Sequence, residues 1–197
     1  RLTEQTTRDK IAHIKKVLYI WRGHAGSTAA GMEAKPYALA AGVRAIDAQL
    51  KRLNLPGKAM QVEDAPGAFQ VRYELTGHPK ISVLIPSKDH IDDLDRCLTS
   101  LYKNAGYDNF EVIVIENNST DPATFAYYET LLSRFADCRV VYYKGVFNFS
   151  AINNFGATFA EGEHLLLLNN DIEVLSSDFL RELLSYSQRP DVGAVGA

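Results

Sequence analysis

From residue 80 onward the sequence predicts an α/β domain built on a mostly parallel β-sheet with covered faces. Two observations carry that expectation. Short apolar runs alternate with amphipathic helical stretches, the pattern of βαβ units. The runs themselves are nearly continuous in apolar character (ISVLIP at 81–86, FEVIVI at 110–115, LLLL at 165–168), which suits strands covered on both faces.

Ahead of that domain the chain has a different character. Residues 1–10 read as a polar helical stretch, and 11–21 (IAHIKKVLYIW) as one or two strands. A loop of small residues, GHAGSTAAG, follows. Leu39, Val43, Ile46, Leu50 and Leu53 then recur at spacings of three and four, predicting a helix over 35–53. Gly57 and a Pro66-Gly67 turn frame two short alternating segments, 59–62 and 69–75, which predict a β-hairpin. Thr76-Gly77-His78-Pro79 is the expected boundary.

Beyond it the elements follow in order: strand 81–86, helix 91–102, strand 110–115, and helix 122–135 with Pro122 in its first turn. Strand 139–143, helix 150–160, strand 165–168 and helix 177–187, with a serine near its N-cap, complete the series.

Bulk properties bound the function. Apolar residues make up 46% and charged residues 23% of the 197, as in ordinary soluble globular proteins. A net charge of -3 argues against a nucleic-acid partner held by electrostatics. Cys97 and Cys138 are too few and too scattered for a disulfide framework or zinc site, and read as buried reduced thiols of a cytoplasmic protein. No apolar run approaches the ~20 residues that span a bilayer, and no signal peptide is evident. Both ends look cut, so the chain reads as a piece of a longer one.

In an open α/β sheet, ligands bind outside the carboxyl ends of the strands. Five polar clusters fall there: Pro86-Ser87-Lys88-Asp89, Glu116-Asn117-Asn118-Ser119-Thr120-Asp121, Asn169-Asn170-Asp171, Phe147-Asn148-Phe149-Ser150, and Asn153-Asn154 with Gly156. Asp171 is the sharpest of these. A carboxylate just past a buried strand suits a hard divalent ion that already carries diphosphate oxygens, with Asn169 and Asn170 as neutral neighbours. The competing reading is a turn, which Asn-Asn-Asp also favours.

The blocks ISVLIPSKD, FEVIVIENNSTD, INNFGATFAEGEHLLLLNNDIEV and PDVGAVGA together resemble the ordered blocks of family 2 glycosyltransferases, in the style of bacterial members that build cell-surface polysaccharides. The resemblance covers about 115 residues. It implies a GT-A, Rossmann-like sheet, here incomplete, and transfer of a sugar from a nucleoside-diphosphate sugar to a hydroxyl acceptor, with inversion and with Mg²⁺ or Mn²⁺. Carried over by position, it makes Pro86, Ser87, Lys88 and Asp89 nucleotide contacts and Glu116 the contact to the base. Asn118, Asn154, Asn169 and Asn170 complete the nucleotide-sugar site, and Asp171 is the metal ligand. Asn117-Asn118 replaces the family's usual Asp-Gly, and Asn169 replaces the first Asp of its metal motif. The family's general base lies in the second half of the domain, beyond this chain.

The resemblance extends to residues 1–34, which look like the closing segment of a preceding domain of the same kind, with His24 matching a histidine that completes some metal sites. Residues 35–79 are then an interdomain helix and hairpin, and 80–197 the nucleotide-sugar-binding half; the alternative is that residues 1–34 pack onto the 80–197 sheet and fill part of its missing half, and the sequence does not choose between the two. Acceptors in this family are glycans or lipid-linked saccharides, which implies peripheral association with the inner face of the membrane, although no basic amphipathic anchor is present. A non-catalytic nucleotide-sugar-binding or scaffolding domain is the alternative. A nucleotidyltransferase fits less well, because PSKDHID lacks a glycine-rich loop; GxxxxGK and GxGxxG do not follow any strand.

Overall fold

The computed structural model describes residues 3–20, 36–65 and 67–196. Two compact units account for it, Arg1–Glu74 and Leu75–Ala197.

In the first unit, α1 (Pro36–Arg52) is followed by an antiparallel pair, β1 (Gly57–Gln61) and β2 (Phe69–Tyr73), matching the helix and hairpin read from the sequence. α1 ends where Asn54 takes a left-handed conformation (φ 52°) and Leu55 N donates back to Leu50 O, a C-terminal stop that asparagine tolerates. Gly42 leaves room on α1 for the Phe69 ring, whose tip would lie 2.4 Å from an added Cβ. Arg52 forms a two-pronged ion pair with Glu4, at 2.8 and 2.9 Å.

The amino-terminal expectations are corrected. Residues 3–10 hold two short 3-10 turns, Thr3–Gln5 and Arg8–Lys10, instead of a longer helix. Residues 11–20 form no strand, and Val17, Leu18, Tyr19 and Ile20 are exposed. Alternating apolar residues make a strand only where a partner ladder takes their backbone groups, and among the described residues none does. Trp21, His24 and the GHAGSTAAG loop lie outside the described residues, as does Pro66 of the hairpin turn.

The second unit carries β3 (Ile81–Ser87), α2 (Ile91–Asn104), β4 (Phe110–Glu116), α3 (Pro122–Arg134), β5 (Cys138–Tyr142), α4 (Phe149–Ala157), β6 (His164–Leu167) and α5 (Phe179–Ser187). Asp178 is the N-cap residue of the last helix, and Ser177, the serine expected near it, directly precedes it. The four strands run in the order β5-β4-β3-β6 and every pairing is parallel. On one face Val83, Ile85, Val112 and Val114 pack against Leu94, Leu98 and Leu101 of α2, Leu131 of α3, and Leu180 and Leu184 of α5. On the other, Leu84, Ile113 and Ile115 pack against Ile152 of α4. Burial on both faces is the physical reason the strands read as continuous apolar runs. Cys97 and Cys138 are free and fully buried, and burial pushes their thiols up to about 11 and about 12. Among the described residues no helix is long and apolar enough to cross a membrane.

Strand order decides where a ligand can enter. From β3 the chain steps to β4 and β5 on one side, then returns to place β6 on the other. Strand order therefore reverses between β3 and β6, and open α/β sheets take ligands at the carboxyl ends beside such a point.

Candidate functional site

The carboxyl edge is assembled by four strand ends. At β3, Ser87 is buried, Lys88 is exposed, and Asp89 and His90 both adopt left-handed backbone (φ 51° and 49°). Non-glycine residues seldom occupy that region, and two in succession turn the chain sharply into α2.

Asp89 is held by what it accepts. Its Oδ1 takes hydrogen bonds from Asp121 N and Thr120 N, each 3.0 Å, and a longer one from the Thr124 hydroxyl, while its own N–H donates to Ser119 Oγ at 2.8 Å. The Asp121 N–H, followed by that of Thr120, lowers its carboxyl below the usual value. Asp89 thus ties the β3–α2 loop to the β4–α3 loop.

Glu116, at the end of β4, is only 3% exposed. Ser119 reaches it twice, through its N–H to Oε1 and its hydroxyl to Oε2 at 2.6 Å, and the Tyr128 phenol donates to Oε2 at 2.8 Å. Burial pushes that phenol well above its ordinary range. Next to it, Asn117 donates to Tyr143 O and Gly145 O (3.1 and 2.9 Å), and Asn118, left-handed and exposed, also donates to Gly145 O at 2.9 Å. The two amides that replace the family's Asp-Gly pair therefore clamp the loop after β5.

β6 continues its ladder by one residue, with Leu168 N donating to Leu84 O at 3.0 Å. Asn169 and Asp171 follow, exposed, with Asn170 half-buried between them. The segment is anchored to α2: Cys97 Sγ reaches Asn169 O at 3.5 Å, Asn104 donates to Val174 O at 2.6 Å, and Val174 N donates to Ser100 Oγ at 2.9 Å. Asp171 thus stands on a fixed loop, and no described residue makes a hydrogen bond or ion pair with its side chain. Among the described residues no three acidic, histidine or cysteine side chains cluster as a metal cage. One exposed carboxylate with two amides fits an ion that shares its coordination with a diphosphate, as Mg²⁺ commonly does; it does not fit an ion held by protein alone.

α4 begins at this edge with Asn148 capping it through Ala151 N at 2.9 Å. Asn154 is exposed, while the adjacent Asn153 is buried. Gly156 faces the sheet so closely that an added Cβ would lie 2.2 Å from Ile115 Cδ1, which makes its role the close approach of helix to strand. Three residues of this edge were given no individual role by the sequence reading. Ser119 lay inside a quoted block, and its use as a hinge for Glu116 could have been suspected from the i+3 spacing. Tyr128 gave no local signal, because only the tertiary fold brings it to Glu116, and Asn153 stood in a polar cluster of this edge without a role, because only the fold turns it inward.

Residues 82–197 match the profile of glycosyl transferase family 2. Over its whole length the chain is 38% identical to an uncharacterised protein, y4gI, of Sinorhizobium fredii and 42% identical to the O-antigen biosynthesis protein RfbC of Myxococcus xanthus. It spans 22% of the first and 15% of the second, about a fifth or less of the curated relatives it matches. Among solved structures, a mannosyltransferase from Pyrobaculum calidifontis in complex with GDP-Man and Mn²⁺ superposes with a TM-score of 0.52 at 22% identity, over 60% of this chain and 35% of that one. At that identity the likeness speaks for the fold alone.

Proposed function

Because the chain belongs to glycosyl transferase family 2, we propose that its second unit binds a nucleoside-diphosphate sugar at the carboxyl ends of β3 and β6 and presents it for transfer to a hydroxyl acceptor. The observation that carries this reading is Asp171, an unpaired carboxylate on an anchored loop at the point where strand order reverses.

The roles follow from position and chemistry. Pro86, Ser87, Lys88 and Asp89 shape the nucleotide edge, Lys88 offering the exposed positive charge there. Glu116 faces the base, its carboxylate oriented by Ser119 and Tyr128. Asn118, Asn154, Asn169 and Asn170 offer neutral hydrogen-bonding groups to the phosphates and sugars. Asp171 holds Mg²⁺ or Mn²⁺ together with the diphosphate, and the ion when bound offsets charge on the leaving diphosphate. Direct displacement with inversion at the anomeric carbon requires a base at the acceptor hydroxyl, a role given to none of these residues. Identity to an O-antigen biosynthesis protein supports cell-surface polysaccharide assembly as the setting, with a glycan or lipid-linked saccharide as acceptor. The work would then take place at the cytoplasmic face of the membrane. The domain partition favoured is a preceding-domain tail at 1–34, a linker at 35–79 and the donor-binding half at 80–197.

Titration of UDP, dTDP and GDP by calorimetry, with and without Mn²⁺, tests the reading. One nucleotide should bind in a metal-dependent way, and Asp171→Ala should weaken it about 100-fold, or about 2.7 kcal/mol. Failure of all three to bind folded protein would sink the proposal. A second reading, a non-catalytic nucleotide-sugar-binding domain, is favoured by Asn169 in place of a carboxylate. Tight donor binding with no Mn²⁺-dependent donor hydrolysis would support it.

A further inference from the structure

Asn153 is 4% exposed on α4, and its amide is only half satisfied. Nδ2 donates to Phe149 O at 2.8 Å, which fixes the orientation of the amide, since the flipped form would set two oxygens against each other. Oδ1 is left buried with no partner. Buried polar groups are nearly always paired, and an exception calls for an explanation.

Helix geometry shows which way Asn153 looks. Ile152 and Gly156 face the sheet, Gly156 against Ile115 and Leu84. Phe155 leans to the β5 side, with its ring centroid 5.4 Å from that of Tyr143. At about 100° per residue, Asn153 lies about 160° around the helix from Phe155, so it faces the β3–β6 side. That is the face on which β6 presents Leu165 and Leu167, since Leu166 and Leu168 join the opposite core. The unpaired acceptor therefore lies on the side of α4 that faces the point where strand order reverses.

We infer that Asn153 is a ligand contact whose Oδ1 accepts a hydrogen bond from a hydroxyl on a sugar ring of the donor, either the ribose or the transferred sugar. The inference rests on the donor-site reading above and deepens it. A phosphate oxygen has no proton to give an acceptor, whereas sugar hydroxyls do. Oδ1 is covered in this structure, so the contact forms as the cover shifts on binding. Asn153 then rewards a ligand that supplies a hydroxyl in the right place and disfavours one that lacks it, because the buried acceptor stays unpaired.

The test compares wild type with Asn153→Leu, which keeps the volume and removes the acceptor. Affinities for UDP, GDP and dTDP and for nucleotide sugars of the base that binds are measured by calorimetry with Mn²⁺, alongside melting temperature. The expected result is a loss of at least about tenfold without a lower melting temperature. Loss for nucleoside diphosphate and nucleotide sugar alike places the hydroxyl on the ribose; loss confined to the nucleotide sugar places it on the transferred sugar. Unchanged affinity, in a protein whose wild type binds, overturns the role of Asn153 and leaves the donor site standing. A wild type that binds no nucleotide overturns both. Should Asn153→Leu fail to fold, the side-chain amide resonance of Asn153 in wild type decides: it shifts on adding the bound ligand, and an unmoved resonance overturns the inference.

Discussion

The two ends of the same four-stranded sheet both carry paired polar networks, but they differ in which groups are left over. At the amino end the acidic groups are closed, and among the described residues Arg139 Nε is the one buried side-chain atom of that network without a partner. Glu111, 2% exposed, accepts from the Ser82 hydroxyl (2.6 Å), Arg139 Nη2 (2.6 Å) and Glu161 N (2.7 Å). Arg139 also bonds Phe159 O, Lys80 pairs with Glu161 at 2.9 Å, and Gly162 N closes on Ser82 Oγ at 2.8 Å. At the carboxyl end Asp171 has no described partner and Asn153 Oδ1 has none. A buried charge that is paired holds a connection in register, whereas a buried acceptor left open, such as Asn153 Oδ1, costs stability unless a ligand takes it. The paired network of the amino end holds the fold, while the open groups of the carboxyl end are the ones the proposed donor site would use.

That contrast can be broken experimentally. The largest effect is expected from Glu111→Ala, which strands the Ser82 hydroxyl and Glu161 N–H and takes from Arg139 its buried carboxylate partner. Losing a partner of a buried pair costs about 3–5 kcal/mol, and partial exposure of Arg139 reduces this to about 2–3 kcal/mol. Denaturant unfolding should register that loss, while nucleotide affinity of the folded fraction stays at the wild-type value. Asp171→Ala is the mirror case, with its loss in affinity and, as an exposed site, within about 0.5 kcal/mol of wild type in stability. Equal stability losses in both variants would erase the distinction.

Gly156→Ala sharpens the comparison, because it presses α4 away from Ile115 at the boundary between structural and binding roles. A stability loss of about 1–2 kcal/mol is expected, together with weaker donor binding, because Asn153 rides on the same helix. Retained affinity would separate α4 from the site.

The smallest effect concerns pH. Hydrogen bonds from Asp121 and Thr120 depress the Asp89 carboxyl below its ordinary value of 3.8. A depressed carboxyl stabilises the fold above the unfolded value, and that contribution is lost as pH falls through the folded value. Stability should therefore decline below about pH 4, and Asp89→Asn should shallow the decline. Glu161, lowered mainly by Lys80, keeps part of the acid slope in that variant. An unchanged slope in Asp89→Asn would remove Asp89 from the account.

Much of the fold was legible in the sequence because each βα unit states itself locally. An apolar run long enough for one buried strand, followed by a stripe at helical spacing, leaves little choice, and every strand and helix from 81 to 187 formed within a few residues of its expected bounds. The run 11–20 carried the same local signal and formed no strand, because a strand is a property of two chains and their ladder. Residue types at the carboxyl edge were equally legible: carboxylates and amides after apolar strands announce a polar rim.

Tertiary structure decided what each of those polar residues does. Asp89 and Glu116 look alike as carboxylates beside turns, yet the fold makes the first a brace between two loops and sets the second between Ser119 and Tyr128. Asn153 and Asn154 are neighbours of identical chemistry, and only the packing of Gly156 against Ile115 turns one inward and leaves the other in solvent. Sequence alone determines which groups are available, because composition and periodicity act over a few residues. Which of them are spent on the fold and which remain for a ligand depends on partners far along the chain, and those are set only when the sheet closes.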